Sequence, residues 1–424
     1  MLDKTGTRQL AYVVTIDKIE PIQGADRVEL AVVGGWHIMV RKGQFKAGDP
    51  AIYFEIDSKV PETEPFAFLA QKHYKIKTQR YLRGSVLSQG LLMAAEDFGW
   101  EIYEKDGKIG ILDTKGIVHS PDTDSAFLTE QLGVTYAEAE DNKRKANSVD
   151  KYKKMASRHP KVFKKKPVRW LMKREWGKKL LFIFFGKKKD KKGGWPVWVT
   201  KTDEERCQNM PFLFTDSDWH DAKWIATEKI DGSSTTFTMR RKNHKKMEFY
   251  VCSRNVCFDS PEKSDNCYYN TNIYIEMAKK YHIEEAIEEL FMIFDPDNTA
   301  LDFITIQGET YGDGVQKRTY SVPAGTHNFM AFNLIFGFKD GTRRRCNPIE
   351  MKRYLEHELS IFIPCVPIIN TDFKLPSTCD ELLEIATGES QIDGLPREGI
   401  VFRDGKGERS FKAVSNEFLI KYHQ

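Results

Sequence analysis

The sequence predicts an α+β protein: a small N-terminal β-barrel followed by a larger domain built mostly on antiparallel strands. Three observations predict this. Short β-rich runs bounded by turn signals fill the first hundred or so residues. From Trp198 onward strand-like runs alternate with helical spacing, and a lysine-rich block separates the two regions. A chain of 424 residues has room for both domains and a linker. The expected boundaries are residues 1–115 for the barrel, 116–196 for a basic linker or insertion, and 197–424 for the second domain.

In the first region, Ala11 to Ile16 is a β-rich run, and Val28 to Val33 and Trp36 to Val40 flank Gly34-Gly35. The glycine pair supplies the positive φ that a tight hairpin requires. Ala51 to Ile56 follows the turn signal Gly48-Asp49-Pro50. Short strands at this spacing suit a closed barrel, with the OB type as the leading topology. In the second region, Lys223 to Glu228, Ser234 to Met239, Leu301 to Gly308, Phe329 to Phe338 and Gly399 to Arg403 read as strands. Thr271 to Phe291 has helical spacing, with Ile273, Met277, Tyr281, Ile287 and Phe291 turned to a core. A second helix is expected over Pro348 to His357.

Hydrophobic residues make up 40% and aromatics 12%, ordinary values for a chain that packs a core. The net charge of +4 hides an asymmetry. Residues 141–192 hold 21 Lys and Arg against 4 Asp and Glu, so the rest of the chain is acidic. Phe163, Trp170 and Trp176 are interleaved with that charge. Cations mixed with aromatic faces suit a nucleic acid, although a solvated linker and a surface resting on anionic lipid fit the charge as well. Seven cysteines without a CxxC pair point to a reducing compartment. The N-terminus has no apolar signal core, and the longest apolar run, Leu180 to Phe185, falls far short of the ~20 residues that span a bilayer. The expectation is a soluble, intracellular monomer with no membrane partner.

Chemistry concentrates around Lys229 in Glu228-Lys229-Ile230-Asp231-Gly232. KxDG alone is weak, since it should arise by accident in roughly one chain in ten of this length. Its company raises the odds. Phosphoryl transfer to a lysine needs removal of the ammonium proton, cations on the α-phosphate, carboxylates for a divalent metal, and an aromatic face for the base. Downstream of Lys229 each part follows in turn: Arg254, Glu309, Phe332, Glu398 and Lys412.

This order resembles motifs I, Ia, III, IIIa, IV and V of the covalent nucleotidyltransferases, the superfamily of ATP-dependent DNA ligases, RNA ligases and mRNA capping enzymes. The resemblance implies a nucleotidyltransferase fold with an ATP-grasp-like ligase architecture, and a lysyl-AMP on Lys229. It implies that Asp231 and Gly232 complete the nucleophile's motif and that Glu228 belongs to the adenosine pocket. Arg254 would bind the nucleotide and the 5′-phosphate strand. Glu309 would lie near the ribose, Phe332 would stack on adenine, and Lys412 would contact the α-phosphate. Glu398 would bind Mg²⁺ or Mn²⁺. Two departures stand out: Ser410 replaces a lysine that many RNA ligases carry two residues before Lys412, and Phe332-Asn333 replaces Phe-Asp.

No second barrel can follow Lys412 within twelve residues, and the β-rich segment lies in front. That order is similar to the RNA ligase 5 family. So are Gly24-Ala25-Asp26-Arg27, Lys42-Gly43-Gln44-Phe45, Tyr81-Leu82-Arg83-Gly84 and Lys201-Thr202-Asp203-Glu204-Glu205-Arg206. The resemblance implies an ATP-dependent RNA ligase that seals 3′-OH and 5′-phosphate ends or nicks, with Lys42 and Arg83 contacting RNA. A DNA ligase, a capping-type enzyme and a degenerate RNA-binding protein remain the alternatives.

Overall fold

The computed structural model describes residues 1–2, 6–121, 123–137, 195–243, 246–258 and 272–422, with a few positions between 162 and 181. The basic block of 141–192 lies almost wholly outside the described residues.

In the N-terminal unit, strand Ala11–Thr15 pairs antiparallel with Pro50–Phe54, which pairs in turn with Leu91–Met93. Lys18–Pro21, Val28–Val33 and Trp36–Arg41 form an adjoining sheet. Gly34 and Gly35 join its hairpin at φ +52° and +82°, the left-handed region that glycine enters without a Cβ clash. Strands 11–15 and 50–54 bury both faces. Tyr12, Val14, Ala51 and Tyr53 meet Trp36 and Ile38 on one side. Ala11, Val13, Ile52 and Phe54 meet Phe66, Trp100 and Leu128 on the other. Burial on two sides explains why these segments read as continuous apolar runs and do not alternate.

The second of these cores draws on residues beyond 115. Ala126, Leu128 and Val134 are buried in it, the Leu128 amide donates to the Ala11 carbonyl at 2.9 Å, and Thr135–Tyr136 pairs with Ser58–Lys59. The boundary expected at residue 115 therefore falls inside this packing, because without 126–134 one apolar face of the barrel strands would be open to water.

The C-terminal domain holds two antiparallel sheets. One has the order Ile368–Phe373, Trp224–Lys229, Gly399–Asp404, Ser410–Val414. The other runs Cys257–Phe258, Lys246–Ser253, Ser233–Asn243, Leu301–Gly312, His327–Phe338, Arg343–Arg345. The chain crosses from the first sheet to the second between Lys229 and Ser233, so the candidate nucleophile stands at the junction.

The single helix expected over 271–291 is two: Ile273–Lys280, capped by the Asn272 side chain, and Ile283–Phe294. His282 lies between them at φ +48°. The buried positions give the reason. Ile273, Tyr274, Met277 and Ala278 define one apolar stripe, and Ile283, Ala286, Ile287 and Leu290 define another. The two stripes are out of phase on one continuous helix, and the break lets both face the six-stranded sheet. The helix expected over 348–357 runs as an α-turn, Pro348–Lys352, followed by a π-helical stretch, Arg353–Glu358.

The two domains are joined by charged contacts. Arg8 pairs with Glu55 at 3.0 Å and with Glu205 at 3.1 Å. Arg80 donates to the carbonyls of Leu419 and Ile420 at the end of the C-terminal helix. Among the described residues no helix is long and apolar enough to cross a membrane.

Candidate active site

Lys229 ends a strand whose start is anchored in a core. Trp224 and Ala226 pack with Leu382, Leu383 and Ala386 of helix Cys379–Ala386 and with Phe402 and Phe411 of the neighbouring strands. Lys229 lies opposite Gly399 in the register, which brings it to the residue before that glycine. Its Nζ reaches both carboxylate oxygens of Glu398 at 2.8 Å. The turn that follows depends on Gly232. A Cβ there would stand 2.4 Å from the Thr310 carbonyl oxygen and 2.9 Å from Glu309 Cγ. The glycine thus lets the turn press on strand Leu301–Gly312 and sets Glu309 beside Lys229.

A cleft of about 320 Å³ opens here, lined by Lys229, Glu309, Phe332, Arg254, Lys412 and Arg403 among others. Phe332 owes its place to a β-bulge. Gln307 pairs with Asn333 and Gly308 with Ala331, so Phe332 is the extra residue on its strand. Bulges re-aim side chains, and this one sets Phe332 against Ile230, Tyr311 and Val366. Asn333 is buried in the sheet, where its amide donates to Gln307 Oε1 at 3.0 Å; Gln307 in turn donates to the Thr200 carbonyl at 2.8 Å.

The cations of the cleft are held by an acidic segment. Asp203 accepts from Lys412 at 3.2 Å and from Arg254 at 2.9 Å. Glu204 accepts from Arg403 at 3.0 Å and from the Ser410 hydroxyl. The segment is fixed to the sheet by a parallel bridge between Arg206 and Lys412 and by the Lys412 amide donating to the Glu205 carbonyl at 2.8 Å.

Burial alone would push the Lys229 ammonium down, but the carboxylates of Glu398, Glu309 and Asp231 outweigh it and hold its pKa above the ordinary lysine value. In the free protein Lys229 is therefore a cation. Glu309 behaves oppositely: burial, reinforced by Glu398 and Asp231, overcomes Lys229 and raises its carboxyl to about 8. Lys412 is lowered, first by burial and then by Lys229 and Arg206. A carboxyl whose pKa is raised by burial and by acidic neighbours marks a place that gains from a cation. Glu309 and Glu398 are hard oxygen donors of the kind that hold Mg²⁺ or Mn²⁺ when phosphate and water complete the shell. Among the described residues no group of three or more His, Cys, Asp or Glu could hold a metal alone.

The structure thus gathers Lys229, Glu228, Gly232, Arg254, Glu309, Phe332 and Lys412 around one cleft, with Glu398 on Lys229. Asp231 is buried in the turn, and its amide donates to the Tyr320 hydroxyl at 2.6 Å. Glu228 is turned from solvent: its carboxylate accepts from the Ser390 hydroxyl and from the Gln391 amide at 2.8 Å. Burial raises its pKa against these two bonds. Lys42 stands apart, on an exposed turn after strand Trp36–Arg41 and outside the cleft lining. The side chain of Arg83 lies outside what the structure describes. Sequence reasoning missed Arg403, Asp203 and Glu204 as parts of the site. A signal existed for Arg403, a lone cation closing the apolar run Ile400 to Phe402.

Comparison with known proteins agrees with the fold. An RNA ligase family model matches residues 222–423, and an OB-fold domain model matches residues 10–95. No curated protein sequence matches the chain. Among solved structures, the chain is similar to the Naegleria gruberi RNA ligase with PPi, at 24% identity and a TM-score of 0.59 over 98% of this chain and 99% of that one. A variant of that ligase holding AMP and Mn gives 24% and 0.60 with the same coverage. Another, holding ATP and Mn, gives 25% and 0.58, again with 98% and 99% covered.

Proposed function

We propose, from the match of an RNA ligase family model to residues 222–423 behind an OB-fold domain at 10–95, that the chain is an ATP-dependent enzyme joining a 3′-OH to a 5′-phosphate in RNA ends or nicks. The reading is carried by one observation. Lys229 meets Glu398 at 2.8 Å in a cleft that also presents Glu309, Phe332, Arg254 and Lys412.

Lys229 Nζ attacks the α-phosphorus of ATP; the P–N bond forms, the bond to the β-phosphate oxygen breaks, and pyrophosphate leaves. The ammonium proton must go first, and Glu398 is the group that retains it. A cation held by Glu398 would compete for the carboxylate that keeps the Lys229 pKa up, and would so favour loss of the ammonium proton to water. Lys412 and Arg254 neutralise phosphate oxygens while Phe332 offers a face to the adenine. A 5′-phosphate oxygen then attacks the lysyl phosphorus, the P–N bond breaks, and Lys229 is regenerated as AMP caps the strand. Last, a 3′-OH attacks that 5′-phosphate, releasing AMP and closing the phosphodiester. A bound Mg²⁺ or Mn²⁺ supplies charge neutralisation at the phosphates, and Glu398 and Glu309 are the residues that would hold it. Lys42, Arg83 and the basic block of 141–192 are the proposed RNA-gripping groups, acting through salt-sensitive phosphate contacts.

Incubation with α-labelled ATP followed by denaturing electrophoresis tests the first step. Wild type should carry label and Lys229→Ala should not. Absence of label in wild type, labelling by GTP alone, or equal label in the variant would overturn the reading. Sealing of nicked duplexes that differ only in ribose or deoxyribose at the 3′-OH then separates RNA ligase from DNA ligase.

A further inference from the structure

The segment between strands Leu301–Gly312 and His327–Phe338 is not an idle connection. It carries two consecutive non-glycine residues in the left-handed region, Tyr320 at φ +54° and Ser321 at φ +55°. Such strain persists only where the surroundings over-determine it. Here they do. Tyr320 is 3% exposed, its ring is met edge-on by Tyr311 at 5.2 Å, and the Arg318 guanidinium lies over it at 4.2 Å. From this strained position its hydroxyl accepts the Asp231 amide at 2.6 Å, in the turn that follows Lys229. Gln316 donates to the Gly232 carbonyl at 3.0 Å in the same turn.

The other flank of Lys229 is tied to the same segment. Arg318, almost wholly buried, donates to Asp393 at 2.6 Å. Asp393 belongs to the loop whose Ser390 hydroxyl and Gln391 amide bind the Glu228 carboxylate. Contacts from Asp231 to Tyr320, Arg318 and Asp393, and from Ser390 of the same loop to Glu228, therefore tie both flanks of Lys229 together. None of the first four side chains lines the cleft.

We infer that Tyr320 is a positioning residue for Lys229: it fixes the turn after the lysine, with Arg318 and Ser390 bracing the residue before it, so that Nζ is held in line with the phosphorus it attacks. The inference rests on the reading of Lys229 as the nucleophile. Its physical basis is that a small misplacement of a reacting atom lowers the rate of the chemical step while leaving the binding of ATP intact.

The test is single-turnover self-adenylylation of the full chain, followed over a range of ATP concentrations. Tyr320→Phe keeps the ring and removes only the oxygen that accepts from Asp231. It should lower the maximal rate by about tenfold with the half-saturating ATP concentration unchanged and the unfolding midpoint close to wild type. Ser390→Ala, which frees Glu228, should show the same split to a smaller degree. Wild-type rates in both variants would overturn the inference while leaving the nucleophile in place. A fall in rate matched by weaker ATP saturation and a lowered midpoint would also overturn it, in favour of a merely structural tyrosine. No label in wild type would instead overturn the assignment of Lys229.

Discussion

Arg403 and Ser410 face each other across adjacent strands, and Glu204 accepts a hydrogen bond from both. Ser410 stands where the motif it resembles has a lysine in many RNA ligases, yet the position is not poor in charge. Arg403 supplies a guanidinium from the neighbouring strand, and Arg345 lies 3.7 Å from the same carboxylate. The Arg403 Nε and Nη1 have no hydrogen-bond partner among the described residues.

Ser410→Lys, which restores the family pattern, should therefore not raise the adenylylation rate. It removes the hydroxyl that satisfies Glu204 and sets a third cation beside two others. The unfolding midpoint should fall, by an amount corresponding to about 1–2 kcal/mol. A faster enzyme would show that the cation from Arg403 does not serve this subsite.

Arg403→Ala should cost about 3 kcal/mol in denaturant unfolding, because it leaves Glu204, largely buried, without its best partner and opens space under Phe332. A cost below about 1 kcal/mol would mean that water replaces the guanidinium without strain.

Gly232→Ala should impair both folding and labelling, since the added methyl would meet the Thr310 carbonyl at 2.4 Å and Glu309 Cγ at 2.9 Å. Overpacking of this kind costs about 1–3 kcal/mol. Label formation at the wild-type rate in a fully folded Gly232→Ala protein would show that the turn can move without harm.

Glu309 gives a pH signature. Its folded pKa, about 8, lies above the unfolded carboxyl value, so the native state binds the extra proton. Stability must then fall as pH rises from the unfolded pKa, ~4.3, toward 8. Glu309→Gln should flatten this decline: the variant should melt above wild type at pH 8 and near it at pH 5, in metal-free buffer. Added Mg²⁺ or Mn²⁺ should raise the wild-type midpoint more than that of the variant. Parallel pH curves for the two proteins would contradict the assignment.

Arg80→Ala removes two charged hydrogen bonds from the N-terminal domain to the end of helix Asn416–Tyr422. The loss should be about 2 kcal/mol, with the C-terminal helix the first segment to become sensitive to protease. Unchanged protection would show that the helix is held by Phe418 alone.

Much of the fold was legible in the sequence. Local signals act over a few residues: the glycine pair of the hairpin, the continuous apolar runs at 11–16 and 51–56, and the strand runs around Lys229 all correspond to elements of the structure. The helix over 271–291 misled because both stripes are apolar, and only the sheet beneath them shows the phase change at His282.

The sequence by itself determined which residue types this protein owns and in what order: a lysine before Asp231-Gly232, then Arg254, Glu309, Phe332, Glu398 and Lys412. Order in a chain carries no distances, because contacts such as Lys229 to Glu398 close across 169 intervening steps of backbone. Only the tertiary structure decided that Glu398 pairs with Lys229, that a bulge turns Phe332 toward the cleft, and that Arg403 shares Glu204 with Ser410. It also decided that Tyr320, in a segment without any local signature, reaches the Lys229 turn. The reason is physical: a residue's neighbours along the chain set its backbone, but its neighbours in space set its charge and its aim.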